Sequence, residues 1–278
     1  MSTVRRSYAA RFVVALMVVG VSTACVSIPE SSSVHAGRGP SAQDERPLSS
    51  NTPNGPRPGA GRKEIATGYL SAMLAFPPAP DVVREFLTPE AATAWNPEQG
   101  LVVYTESSRP RLSETANFVI FSARALGSLD ERGSWSTATG PRREIRAAFA
   151  MERVGGEWRL RNPLPGTYVD QDYFSTYYDA FSLYFFEATN TILAADPVHM
   201  LLGDSLATSL VEDLLKGPTR ELQGAVGSSM PTTATVTTAV TISPSGVAEI
   251  PLSDEILQLS ANDRRLFAAQ LVWTLQPL

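Results

Sequence analysis

Cys25 is the only cysteine of the 278 residues, and its position suits it to one kind of chemistry. It follows an apolar run, Phe12–Ala24, which is preceded by Arg5, Arg6 and Arg11 and by no acidic residue. Basic, apolar, then small is the order of a secretory leader. Val21-Ser22-Thr23-Ala24 is small enough to pass a signal-peptidase cleft. A thiol at that junction can take a diacylglyceryl thioether, and cleavage before it exposes an amine for a further acyl chain. Three fates are open to the leader. It can be lipidated at Cys25. It can be cut at a small-x-small site, Ser22-Thr23-Ala24, and released with a free thiol. It can also stay uncut, although its apolar part falls short of the ~20 residues of a membrane span. Ser22 stands where lipidated leaders usually carry leucine. Arg5-Arg6 hints at twin-arginine export, but a bare pair is weak.

Other chemistry is sparse. The two histidines, His35 and His199, cannot build a His-rich metal site. His199 follows Asp196-Pro197-Val198, so a Ser–His–Asp set with Ser205 or Ser209 is formally available, without a nucleophile-elbow motif. Gly37-Arg38-Gly39 has no strand before it and cannot cradle phosphate. Glu212-Asp213 and Asp254-Glu255 are neighbours in sequence, so their side chains diverge and read as solvated faces. Removing Met1–Ala24 takes away three arginines and no acid, which moves the formal charge from −5 to −8. That balance argues against nucleic acid and against electrostatic adhesion to anionic lipid. No disulfide can staple the fold.

The elements that would position these groups come in blocks. The expected division is a leader over 1–24, a lipidated N-terminus and disordered linker over 25–62, an α+β domain over 63–200 and a second over 201–278. The linker is rich in Pro, Gly and Ser. As a flexible coil it would span roughly 30–35 Å. Ile65, Tyr69, Met73 and Phe76 mark one face of a helix, stopped by Pro77-Pro78. Asp81–Phe86 and Glu90–Trp95 form two short helices, with Thr88 as N-cap and Pro89 at N1. Strands follow at Leu101–Tyr104, Ala116–Leu126 and Arg143–Glu152. The last presents Ile145, Ala147, Phe149 and Met151 on one face, and Gly155-Gly156 turns it into Trp158 and Leu160. Helices, then long antiparallel strands, give helices packed on one curved sheet. Tyr168–Phe186 is dense in aromatic residues and reads as core or domain junction rather than a stacking platform. Beyond it, Asp204 caps a helix through Leu206, Leu210, Leu214 and Leu215 that ends at Gly217-Pro218. Val236–Ile242 and Val247–Leu252 are strands around Ser243–Gly246. Ser260 and Asp263 form a capping box for a last helix. This helix–strand–strand–helix unit needs another strand for its sheet, so the second domain is expected to be incomplete.

Several stretches resemble a known family. Cys25–Pro29 with Ser31–Val34, then Phe86-Leu87-Thr88-Pro89-Glu90-Ala91-Ala92-Thr93-Ala94-Trp95-Asn96-Pro97, resemble the start and N-terminal domain of the actinobacterial LpqB lipoproteins. Leu183–Phe186 and Asp196–Val198 resemble that family's junction segment. Leu210–Pro218 and Ala268–Leu275 are similar to its GerMN domain. The resemblance implies a nuclear-transport-factor-like cone followed by the GerMN domain. Family members continue into a C-terminal β-propeller, whereas this chain stops inside the GerMN pattern. It further implies attachment at Cys25, as N-palmitoyl and S-diacylglycerol cysteine, on the outer face of the cell membrane. The implied partner is the extracellular domain of the sensor kinase MtrB, through which MtrA phosphorylation, cell division and envelope homeostasis are affected. No catalytic residue, cofactor or metal is implied, so a non-enzymatic role is expected. The alternative is a module that binds a wall fragment or a lipid.

Overall fold

The computed structural model describes residues 48–105, 111–116, 118–231 and 233–278. Cys25, His35 and the expected leader lie outside them. Among the described residues the chain forms six α-helices and twelve strands in an α+β arrangement, with no propeller.

Helix α1 (Arg62–Ala72) buries Ile65, Ala66, Tyr69 and Leu70. Periodicity puts these side chains on one stripe, and that stripe meets the sheet. Helices α2 (Pro80–Glu85) and α3 (Pro89–Ala94) follow. Thr88 is the α3 N-cap as expected: its Oγ1 accepts from Ala91 N at 3.4 Å, with Pro89 at N1. The link between α2 and α3 is pinned to the sheet, since Thr88 N donates to Leu160 O and Leu160 N to Phe86 O, both at 2.8 Å.

Strand β3 (Phe118–Leu129) is the spine of the sheet. Its first half lies between β2 (Arg111–Glu114) and β5 (Glu144–Val154). Its second half lies between β1 (Leu101–Tyr104) and β4 (Trp135–Thr137). Register shifts between Val103 and Tyr104, a bulge that bends the strand and curls the sheet. Strand β6 (Glu157–Leu160) extends it beyond β5, through the Gly155-Gly156 turn at positive φ. Strand β7 (Thr167–Asp170) joins β1 in parallel, so the sheet is not wholly antiparallel. Tyr69, Phe86, Trp95, Phe121, Phe149 and Leu160 fill the space between helices and sheet.

Residues 48–62 differ from the expected free linker. Asn51 N donates to Phe76 O at 2.8 Å, Tyr177 Oη donates to Ser49 O at 3.0 Å, and Gly59 N donates to Glu157 Oε2 at 2.9 Å. Ala60 is buried. Composition argued for disorder, but backbone groups and one apolar side chain are enough to hold the stretch on a preformed surface.

Helix α4 (Gln171–Tyr177) leads into strand β8 (Tyr178–Glu187), which pairs along its length with β9 (Leu193–Leu201). This hairpin is the sheet that α5 (Leu206–Leu215) and α6 (Ala261–Leu275) cover. The second core joins Leu183, Phe185, Val198 and Met200 of the hairpin to Leu210, Leu214, Phe267 and Leu275 of the helices. The sheet partner sought beyond the last helix is thus supplied upstream, by the aromatic stretch.

Two local expectations fail. Ser205 rather than Asp204 is the α5 N-cap, and no side chain caps that end. The strand expected over Val236–Ile242 shrinks to β11 (Thr241–Ile242), paired with β12 (Ala248–Glu249), plus a bridge from Val236 to Leu252. Pro251 has no N–H to extend the ladder, and Val240 N donates instead to Thr208 Oγ1 of α5 at 2.9 Å. The capping box forms differently. Ser260 Oγ accepts from Asp263 N at 3.1 Å, but the shorter Asp263 carboxylate reaches only the Ser260 hydroxyl, at 2.7 Å.

Candidate functional site

Between the two cores lie a third apolar cluster, with Leu101, Leu129, Val169 and Tyr173, and a turn. Asp130 Oδ1 accepts from Arg132 N and Ser134 N, both at 2.9 Å, closing the β3–β4 turn. Gly133 takes φ +73, and a Cβ there would meet His199 O at 2.7 Å. The space this leaves lets His199 N donate to Gly133 O at 2.8 Å. Arg132 then reaches the end of α5: its Nη2 donates to Asp213 O at 2.9 Å and to Gly217 O. A guanidinium there meets carbonyls that the helix leaves unpaired, at the negative end of its dipole. The β3–β4 turn therefore fastens the first sheet to both β9 and α5.

Beside this turn lies a cavity of about 420 Å³. Its floor is apolar, with Val83, Leu101, Leu129, Val169 and Met200. Tyr173 and Tyr178 line it too. Burial pushes the Tyr178 phenol up to about 12 and the Tyr173 phenol up as well, so both stay protonated. Tyr173 Oη donates to Ala75 O at 2.8 Å. Glu98, Glu131 and Glu212 are exposed along its edge. Lys216, also on the wall, is held by Asp213 at 2.7 Å.

His199 lines the same cavity, with its ring against Trp135 and Phe174 at 5.9 and 5.6 Å. Burial lowers its pKa, and Asp179 opposes this in part. Nδ1 is buried without a hydrogen-bond partner. Ser209 shares the cavity wall, but neither Ser205 nor Ser209 hydrogen-bonds His199. Asp196 is committed elsewhere: its carboxylate accepts from Thr219 N and Thr219 Oγ1, each at 2.7 Å. The formal Ser–His–Asp set is therefore not assembled. Among the described residues no cluster of His, Cys, Asp or Glu could hold a metal ion. Glu212 and Asp213 do diverge, one exposed and one buried. The aromatic stretch divides: Tyr173, Phe174, Tyr177 and Tyr178 stack around the joint, while Phe185 enters the second core.

The Asp130–Ser134 turn was not singled out from sequence, although Asp-Glu-Arg-Gly carries a turn signal. Gln270 and Thr274 were also missed. Both are fully buried on α6, where Gln270 Nε2 donates to Tyr184 O at 2.8 Å and Thr274 Oγ1 accepts from Tyr184 N at 3.2 Å. Their spacing of four, beside Phe267 and Leu271, is the signal that could have found them.

Comparison with known proteins places these parts. Residues 55–175 match the family profile "Lipoprotein LpqB, N-terminal domain". Residues 182–278 match "Sporulation and spore germination". The chain belongs to the LpqB lipoprotein family. It is 30% identical over 270 residues to Lipoprotein LpqB of Thermobifida fusca, covering 91% of this chain and 42% of that protein. It is 26% identical over 253 residues to Lipoprotein LpqB of Cutibacterium acnes, with the same coverages. With Lipoprotein LpqB of Mycolicibacterium smegmatis it is 29% identical over 273 residues, covering 92% of this chain and 45% of that protein. The chain thus spans less than half the length of these LpqB relatives. No solved structure matches it. LpqB membership implies a membrane-anchored lipoprotein, and among the described residues no helix is long and apolar enough to cross a membrane.

Proposed function

We propose that this LpqB-family chain is a lipid-anchored, extracytoplasmic accessory protein that modulates the MtrA–MtrB two-component system by contact with the extracellular domain of MtrB. Residues 1–24 would be the leader, and Cys25 would carry the N-palmitoyl and S-diacylglycerol groups. Each acyl CH₂ contributes about 0.8 kcal/mol of membrane affinity, so two or more chains hold where one exchanges. The observation that carries this reading is the family match across both folded parts. The joint supports it: two cores are fastened by backbone and guanidinium contacts, and His199 is not set against a nucleophile. A non-enzymatic role follows from the same reading.

Intact-mass analysis of the membrane fraction, beside Cys25→Ala, tests the anchor. Acylated Cys25 as the new N-terminus is the expected result, and an unmodified mass refutes it. Capture of the MtrB extracellular domain by the chain tests the partner. No capture, with a full-length relative as positive control, refutes that half. The alternative is a module that binds a wall fragment or a lipid. A thermal-shift panel of muropeptides and lipids decides it, and a flat response removes it.

A further inference from the structure

We propose that the cavity at the joint receives a basic side chain, flanked by apolar residues, from a segment of the protein partner. This rests on the proposed function, since it names the chemistry by which a partner would be held. The cavity of about 420 Å³ has room for one long side chain and parts of its neighbours, and too little for a folded element. Its floor of Val83, Leu129, Val169 and Met200 gives an apolar flank a surface to cover.

Charge selects the sign of the guest. Glu98, Glu131 and Glu212 come from three separate parts of the chain and all line the cavity. All three are exposed, and none has an ion-pair or side-chain hydrogen-bond partner among the described residues. Lys216 is the only lysine or arginine on the wall, and Asp213 neutralises it at 2.7 Å. An anionic headgroup or phosphate would meet three uncompensated carboxylates. A guanidinium or ammonium would be attracted, while its stem lies on the apolar floor. Cavities that open at the joint of two packed units are common places for recognition.

The test uses the full chain in phosphatidylcholine nanodiscs. A blocked pentapeptide with central arginine and leucine on either side is titrated by calorimetry, with central glutamate as control. The arginine peptide should bind saturably and the control should not. Glu98→Lys with Glu212→Lys changes two exposed positions, so its melting temperature should match the parent. Its affinity should fall at least about tenfold, more at low salt. Equal binding of both peptides, or undiminished binding by the double variant, overturns the proposal. Binding of phenethylammonium but not of the peptide also overturns it, in favour of a small-cation site. Capture of the MtrB extracellular domain separates the two levels. If capture survives the charge reversal, this inference falls and the proposed function stands. If the parent captures nothing, the proposed function falls and the titration still decides what the cavity takes.

Discussion

Arg132→Ala should weaken the joint more than any surface substitution. The guanidinium donates to Asp213 O and Gly217 O, and Asp213 is buried. Hydrogen bonds from a charged donor contribute about 1.5–3 kcal/mol each when partly buried. A cation at a helix C-terminus adds roughly 0.3–1 kcal/mol. Two terms reduce the total. Both bonds leave one nitrogen, and Nε is buried without a partner, a cost the alanine variant removes. A net loss of about 2 kcal/mol results, which for a folded part of this size lowers Tm by roughly 4–8 °C. Urea unfolding followed by far-UV circular dichroism reads the stability. Hydrogen exchange at the last turn of α5 and at His199 N reads the location. Arg132→Lys should recover part of the loss, because it keeps the charge without the planar fork. A loss below about 0.5 kcal/mol in Arg132→Ala, or unchanged protection at both places, would refute the fastening role.

Gln270→Leu with Thr274→Val should cost about 1–3 kcal/mol, since Tyr184 N and O lose part-buried partners while leucine also removes the orphan Gln270 Oε1. Chemical denaturation checks this, and a double variant as stable as the parent would mean that the two bonds contribute nothing net. Asp196→Ala leaves Thr219 N and Oγ1 unpaired beside β9 and should cost about 2–3 kcal/mol, with Asp196→Asn intermediate. An Asp196→Ala variant as stable as the parent would mean this carboxylate contributes nothing net. His199 titrates below its ordinary value of 6.5, so the unfolded chain takes up the proton more readily. Stability should therefore fall as pH drops through and below 6.5, and level off beneath the folded-state pKa. His199→Gln should flatten that part of the pH profile; an identical slope in the variant would assign it to other groups.

The first fold was largely legible because its signals are local. Thr88-Pro89 marks a helix start by chemistry that needs no tertiary partner, and Ile145 to Met151 alternate because one face of β5 is covered. The second part was harder for a physical reason. The aromatic run Tyr173–Phe186 changes from helix to strand at Tyr177–Tyr178, and no Pro or Gly marks the change. The strand expected at Val236 has the right composition, but its backbone partners are a proline and a helix side chain. At the candidate site, His199 and Ser209 could be picked by residue type. Asp130 and Gly133 carry a local turn signal, but the role of Arg132 could not be read, because it depends on α5 arriving some eighty residues later in the chain.

The way α6 lies along β8 also bears on how the protein could fail. Strand β10 (Val226–Gly227) pairs with β8 only at Phe186 and Glu187, so Gln270 and Thr274 occupy edge positions that a neighbouring strand would otherwise take. On the other side, Pro197 interrupts the donors of β9. Were α6 to fray, Phe181-Ser182-Leu183-Tyr184-Phe185-Phe186 would be laid open along one edge. That hexapeptide has no charge, no proline and no glycine, and it has the composition of a cross-β zipper segment. The two buried polar side chains of α6 would then be guards against aggregation as well as contributors to stability, and their loss would show first in solubility.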